Sequence, residues 1–600
     1  MTEIKDRSMI ETKDKWDLSL IYKTQKDFEN ELEITKNLIL EYRKKYENHT
    51  MDNANIFYNS IIDSLEISRK LDKLYVYASM KSDEDVSNND NQELKNKVIN
   101  LYDLATANMF FVDTELLKED YAKIEKFYQD EPKLLEHEVN IKDTFRYKKH
   151  TLSDIEEKLL SNISKAFGND EQTYGYLTDS DMTFGTIKNE DNKEVELTDT
   201  NYSIYIKSKD RRVRKEVFDA LYNHYKQFKN TITSTFDGSI KQSVSIAKLR
   251  KYNSAFEASL FKDEISIDVY NTLVNTIHEN LNVFHKYYDL KKKVLNLDEF
   301  HLYDVYVEMV KDYDKKYSFD EAKQIVINAL SVLGNDYIET FKKAFDEKWI
   351  DIYPNKNKRG GAYSGGSYDT KPYILLNYQG TLNDVSTLAH EGGHSMHSYY
   401  TRTNQPIQYG DYPIFVAEVA STVNEILLAK YMLKNSTSKE EKLVILNQLL
   451  ELFKGTIYRQ VMFSEFEKYA YDLVENDDVI TSDKLCNKYY QLNKLYFGDN
   501  VVVDDLIRYE WEKVPHFYYN FYVYKYATGI SAACKIVDGI LNNEKDALDN
   551  YLNMLKSGSR QNPLDTLKIA GVDMTDKEVY ESAIKMFDET IEEFKTLIEK

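Results

Sequence analysis

Helix breakers are scarce in this chain of 600 residues, which holds 7 Pro and 19 Gly. Proline clashes with the helical backbone and glycine leaves it loose, so their scarcity argues against frequent interruption and for long helices. Cysteine is rarer still. Cys486 and Cys534 lie far apart, and two cysteines cannot staple a chain of this length. A disulfide framework is excluded, and a reduced, cytoplasmic setting fits. Long apolar runs are missing too. No stretch approaches the length of a membrane-spanning helix, and the first 22 residues lack the apolar core of a secretory signal, so no membrane partner is expected. Positive charge is in deficit. Lys and Arg number 79 against 101 Asp and Glu, a net charge of −22. A nucleic-acid partner needs a basic face and is excluded, and the acidic surplus is read as solubility.

What is present suits a soluble, helix-rich protein, with 42% hydrophobic and 30% charged residues. The length allows several domains or one large enzyme with a subdivided core. Tyrosine is abundant at 49 residues, most of which are expected to pack half-buried with a wet hydroxyl.

From about residue 25 to 130, apolar residues recur at helical spacing, with Leu65, Leu71, Leu74 and Val76 on one such stripe. Another helix is expected at 154–167, after the cap signal at Ser153 and Asp154. Turn residues then punctuate 168–208, and the pattern predicts a short hairpin within 183–198. A domain boundary is placed near residue 200, giving a mainly helical N-terminal domain, 1–200, and a catalytic domain, 201–600. Long helices are predicted at about 210–250, 266–296 and 319–347. A glycine-rich run at 358–366 precedes a strand at 373–378, and the turn at Gly380 with a cap at Asn383 or Asp384 opens the next helix. Helix dominates again from about 412. There is no internal repeat, and no motif specifies an oligomeric state.

That helix carries His390-Glu391-Gly392-Gly393-His394. Histidines four apart share a helix face, so both imidazoles can reach one metal ion. The intervening glutamate sits about 100° round the helix, where it can hold the attacking water. This is the H-E-x-x-H arrangement of zinc peptidases. For this composition an accidental match is expected in only about 3 chains per hundred.

Two histidines leave zinc short of a shell, so a third protein ligand is required. His397 shares the face but lies about 10 Å along the axis from His390, too far for Zn–N bonds of about 2.0–2.1 Å. A role behind the ligands or facing substrate suits it better. A metzincin-type third histidine fails, because the positions that motif needs hold His397 and Tyr400. Glu418 stands in an apolar, small-residue run, Phe415 to Val423, where a metal would offset its desolvation. The competing reading is a solvated surface acid. Glu425, seven residues on and near the same face, suits a hydrogen bond to a ligand imidazole. One zinc ion on His390, His394 and Glu418 is therefore expected, with Glu391 taking the water's proton and delivering it to the leaving amine.

The densest aromatic stretch, 515–529, offers an imidazole and several phenols as donors to an oxyanion or peptide carbonyl, although such density also suits a core. The strand at 373–378 is a candidate edge for pairing with an extended substrate. The glycine run lacks phosphate-loop order and reads as a loop at the cleft, with Gly360, Gly361, Leu376 and Asn377 as candidate substrate contacts.

Taken together, Lys358 to Tyr363, Tyr373 to Tyr378, Thr387 to His394, Ala417 to Thr422 and His516 to Tyr519 resemble oligoendopeptidase F, a bacterial branch of the thimet-oligopeptidase-like zinc metallopeptidases. The resemblance implies a mainly α, two-lobed molecule of gluzincin type, with a small β element beside the metal helix and a deep central channel. It implies endopeptidase action on short, unstructured peptides. It supports His390, His394 and Glu418 as ligands and Glu391 as catalyst. It also points to His516 and Tyr524 as catalytic donors and to Tyr519, Tyr522 and Tyr526 as substrate contacts. Gly393 stands where the family can carry a larger apolar residue. The alternatives are a metal-dependent exopeptidase on a related scaffold and a non-catalytic helical binding protein.

Overall fold

The computed structural model describes residues 4–310 and 313–600. The fold is mainly α. Among the described residues there are seven strands, each of two or three residues: β1 Thr186–Lys188, β2 Glu194–Glu196, β3 Phe300–His301, β4 Ile350–Asp351, β5 Tyr363–Gly365, β6 Tyr373–Leu375 and β7 Val501–Val502. None of the described helices is long and apolar enough to cross a membrane.

The helical region from residue 25 resolves first into Gln25–Tyr46, Ala54–Glu84 and Asn89–Met109. Thr24 and Asp27 form a reciprocal cap on the first, and Asn53 caps the second. The inner stripe of Ala54–Glu84 is Ile67, Leu71, Leu74 and Ala78, while Leu65 and Val76 flank it half-buried. The helix expected at 210–250 runs Arg211–Leu249, capped by Asp210. Two other expected helices are broken. That at 266–296 divides at Asn280, and that at 319–347 divides at Gly334, whose φ of +91 only glycine adopts cheaply. The one at 154–167 ends at Ile163 and continues as a 3-10 turn, Ser164–Ala166. β1 and β2 pair antiparallel as the expected hairpin.

Two compact units emerge, each assembled from three stretches: 1–149, 314–431 and 536–571 in one, 150–313, 432–535 and 572–600 in the other. The division therefore differs from the split near residue 200, for reasons visible in the packing. The β1–β2 hairpin is tied to the Arg211–Leu249 helix, Lys188 N–H donating to Glu216 at 2.9 Å and Arg212 donating to the Asn189 carbonyl at 2.7 Å. In the other unit the N-terminal Arg7 pairs with Asp351 at 2.6 Å, joining the first stretch to the sheet beside the histidine helix.

That sheet has the order β4-β6-β5, β6 lying parallel to β4 and antiparallel to β5. The strand expected at 373–378 is thus shorter and central. Among the described residues β4 and β5 each pair with β6 alone, but Asp17 N–H donates to the Lys348 carbonyl and Ile352 N–H to the Asp14 carbonyl on either side of β4, both at 3.0 Å, so β5 carries the more open edge. Lys358 staples the sheet from inside, pairing with Asp351 at 2.7 Å and donating to the Leu376 carbonyl at 2.6 Å.

Candidate metal centre

Gly380, at φ +81, turns the chain after β6, and Thr381 caps the Leu382–Asn404 helix reciprocally with Asp384. The cap thus falls two residues before Asn383. About two and a half turns after that cap, His390 and His394 project together, their Nε2 atoms 3.2 Å apart. From the Ile414–Asn435 helix, Glu418 Oε2 comes within 3.5 Å of His390 Nε2 and 3.4 Å of His394 Nε2. Ligands at about 2.0–2.1 Å from a tetrahedral zinc ion stand about 3.3–3.4 Å from one another. The three atoms form one face of such a tetrahedron, so the donor set fits zinc.

Glu418 differs in one respect from its sequence reading. Its side chain keeps 52% exposure while Val416, Val419 and Ala420 around it are fully buried. Direction toward the imidazoles, rather than burial, singles it out. Ser421 Oγ donates to its Oε2 at 3.0 Å. Desolvation raises the carboxyl's pKa, but the hydrogen bond and charge of His394, with the charge of His390 and the Ser421 hydroxyl, bring it down to about 2. Burial pushes the His390 imidazole down, and the carboxylates of Glu425, Glu391 and Glu418 more than offset this, lifting it to about 9. Glu425 Oε2 lies 3.3 Å from His390 Nδ1, and Ser386 Oγ donates to the other oxygen at 3.3 Å.

Close helix approach makes this possible. A Cβ at Gly393 would lie 2.6 Å from the Ala420 carbonyl and from Ser421 Cα, both backbone atoms of the Glu418 helix. The space the resemblance allows at 393 is therefore absent; at Gly392 the nearest atoms a Cβ would meet belong to the Phe341 ring. Asn424 clamps the pair, its amide donating to the Ala389 carbonyl at 3.1 Å and its oxygen accepting from Tyr337 at 3.2 Å. Sequence reasoning missed Asn424, Ser421 and the packing role of Gly393. The small residues Ala417, Ala420 and Ser421 opposite a Gly-Gly pair were the available signal.

Glu391 is 7% exposed, and burial raises its carboxyl above the ordinary range against the charges of His390 and His394 and, less strongly, the Ser364 amide of β5. Ser364 Oγ and Ser395 Oγ, 2.8 Å apart, hold β5 against the histidine helix. A cleft of about 520 Å³ is lined by Gly361, Asn377, Thr387, His390, Glu391 and Glu425. Gly360 lines an adjoining cleft of about 420 Å³ with Asp83 and Tyr363.

Leu376 and Asn377 line the first of these clefts and also carry structure. Leu376 is buried with its carbonyl held by Lys358, and the Asn377 amide donates to the carbonyls of Arg359 and Gly361 at 2.9 and 2.8 Å. His397 is 1% exposed and stacks on Tyr412 at 3.6 Å, so it faces no substrate. Its imidazole is driven down to about 3 by burial. Tyr412 in turn contacts Ser398 Oγ at 3.0 Å and the His394 carbonyl at 3.5 Å, placing His397 behind the ligands.

In the other unit, His516 is ringed by Tyr519, Tyr522 and Tyr526, with centroids at 5.6, 6.4 and 6.2 Å. Tyr519 is exposed and the other three are half-buried. Burial lowers the His516 pKa and favours the neutral imidazole. Tyr524 departs from expectation. It is 1% exposed and packs edge-on against Tyr270, a core position that removes it from the accessible phenols.

Two family models match, Oligopeptidase F over residues 115–184 and Peptidase family M3 over 204–586. Oligopeptidase PepF of Bacillus subtilis is 42% identical, the match covering 100% of this chain and 89% of that protein. Group B oligopeptidase PepB of Streptococcus agalactiae is 39% identical over 99% of both. The crystal structure of a candidate peptidase from Chlamydophila abortus superposes with a TM-score of 0.93 at 37% identity, covering 99% of this chain and 100% of that one. Oligoendopeptidase-F of Enterococcus faecium gives 0.74 at 33% identity over 96% and 99%. On length, order and fold alike, the chain belongs to peptidase family M3, within its oligopeptidase F branch.

Proposed function

We propose that this protein is a zinc-dependent oligoendopeptidase of the cytoplasm that cleaves internal bonds of short, unstructured peptides. One observation carries the reading: the three ligand atoms of His390, His394 and Glu418 are spaced 3.2 to 3.5 Å apart, the edge length of a tetrahedral zinc shell. A zinc ion held there supplies Lewis acidity to the scissile carbonyl and acidifies water. Glu391 accepts the proton of the attacking water and passes it to the leaving amine, a task suited by a carboxyl that burial has raised toward working pH. Glu425 orients His390 by accepting from Nδ1, which keeps Nε2 free to ligate. The open edge of β5 offers backbone hydrogen bonds to an extended peptide without reading its side chains. His516, Tyr522 and Tyr526 serve as donors to the substrate or the developing oxyanion. Relatives in Lactococcus and Borreliella carry the name oligoendopeptidase F, which favours internal cleavage over trimming.

The test is cleavage of a quenched-fluorescent peptide blocked at both ends, with metal analysis of the same sample. Internal cleavage that tracks one zinc per chain, disappears on chelation and returns with added zinc is the expected result. Cleavage confined to peptides with a free end supports the exopeptidase alternative, and a metal-loaded protein that cleaves neither leaves only a binding role.

A further inference from the structure

Asn520 and Phe521 are consecutive non-glycine residues in the left-handed region, at φ +50 and +57. Side chains there crowd their own carbonyls, so such a pair persists only where its surroundings over-determine it. One face of the Arg459–Glu475 helix does this. Glu467, 0% exposed, accepts the Phe521 N–H at 2.7 Å. One turn on, the Tyr471 hydroxyl donates to Asn520 Oδ1 at 2.6 Å, and Ser243 donates to the same oxygen at 2.9 Å. The Phe521 ring is seated between Tyr471 at 4.4 Å and Phe256 at 4.7 Å.

The turn so gripped lies between His516 and the pair Tyr522 and Tyr526. Six residues of extended chain would carry His516 and Tyr522 about 20 Å apart. Reversal at 520–521 instead leaves His516 and Tyr522 stacked with centroids 6.4 Å apart, and Tyr526 closes on Tyr522 at 5.3 Å. A carboxyl is an expensive choice for the inside of a helix packing face, where an apolar side chain of similar volume costs less. The second Glu467 oxygen has no hydrogen-bond partner among the described residues, so what the group contributes is its acceptor for the Phe521 amide. Lys525, whose charge acts on Glu467, is itself paired with Asp263.

We infer that Glu467 is a positioning residue, setting through the Phe521 amide the turn that assembles the His516, Tyr522 and Tyr526 cluster. The inference rests on the reading of that cluster as the donors to substrate. Burial raises the Glu467 carboxyl to about 8, so glutamine, neutral and able to accept, is its close substitute.

The experiment uses the full-length, zinc-loaded protein and an end-blocked fluorogenic peptide. Glu467→Leu is expected to lower kcat at least tenfold and to speed amide exchange across 516–526 by a similar factor, with zinc stoichiometry unchanged. Glu467→Gln should restore kcat to within threefold of the parent. Tyr471→Phe keeps its ring and deletes only the donor to Asn520; it should lie between the two and decides the matter should the leucine variant fail to fold. His516→Ala and Tyr526→Phe run in parallel. If both retain parental turnover, the reading of the cluster falls and this inference with it. If they are impaired while Glu467→Leu or Tyr471→Phe stays within twofold of the parent, the inference alone is overturned.

Discussion

Single carboxyl groups in this protein differ widely in what holds them, and their substitutions should separate cleanly. Glu391→Gln removes the proton acceptor while keeping its shape, so turnover should fall about 10³-fold or more at unchanged zinc content, read by peptide cleavage alongside metal analysis. Glu425→Ala leaves His390 Nδ1 without its carboxylate at 3.3 Å. Zinc affinity should weaken about 10- to 100-fold, measured by competition with a chromophoric chelator; unchanged affinity would remove Glu425 from the site. Glu512 is a different case. It is fully buried, neither oxygen has a hydrogen-bond partner among the described residues, and burial lifts its pKa to about 9 against a weak pull from Lys229. The folded chain therefore keeps a proton there that the unfolded chain releases above about pH 4.3. Between that value and about 9, rising pH favours the unfolded state, and the loss levels off beyond. Glu512→Gln should raise the melting temperature by about 3 °C more at pH 8.5 than at pH 5.5. Equal shifts at the two pH values contradict this. His390, Glu391 and His394 were legible because helical spacing is local; the apolar run drew notice to Glu418, although its side chain stays half exposed and its direction toward the imidazoles is not written in that run. Tyr524 was misplaced for the converse reason. Nothing in a row of tyrosines tells which of them turns inward, and the left-handed pair at 520–521 reverses the face after it is set.

At the scale of elements, the site depends on how near two helices can come. Gly393 admits the Ala420–Ser421 backbone, whereas Gly392 faces the Phe341 ring, a side chain and not backbone. Gly393→Ala must push rigid backbone away by several tenths of an ångström, drawing Glu418 out of reach of the imidazoles. It should cost about 1–3 kcal/mol of stability and at least about tenfold in zinc affinity. Gly392→Ala should do markedly less, since a ring can yield. Melting curves and zinc competition on both variants check the contrast, and equal effects would show that helix spacing is not what places Glu418. Elements were readable in kind more than in extent. Periodicity gave the Arg211–Leu249 helix nearly to the residue, yet it ran through Asn280 and Gly334, where one side chain or one dihedral ends a helix without disturbing the apolar pattern. The strand at 373–378 was found, but its place in the sheet was not. Whether a strand is central depends on its partners, β4 and β5, whose two- and three-residue lengths carry no periodic signal.

The division of the whole molecule is set by contacts that composition cannot foretell. The change of character at 168–208 suggested a boundary, but the hairpin there is bound to the helix that follows it. Likewise the last helix, Lys577–Glu599, packs on Lys439–Phe453, far off in sequence but in the same unit. One consequence can be tested without cutting the chain. All three proposed ligands lie in the unit built from 1–149, 314–431 and 536–571, so metal binding should stabilise that unit by mass action on its folded form. At zinc 100-fold above its dissociation constant the gain is about 2.7 kcal/mol. Chelation should then speed amide exchange through Leu382–Asn404 and the first turns of Ile414–Asn435, where the ligands and Asn424 hold the helices together. Arg211–Leu249 and Arg459–Glu475, which contribute no ligand, should exchange as before. Acceleration spread evenly over both sets would mean that the ion supports the chain as a whole, and the three side chains would then be only part of what it holds.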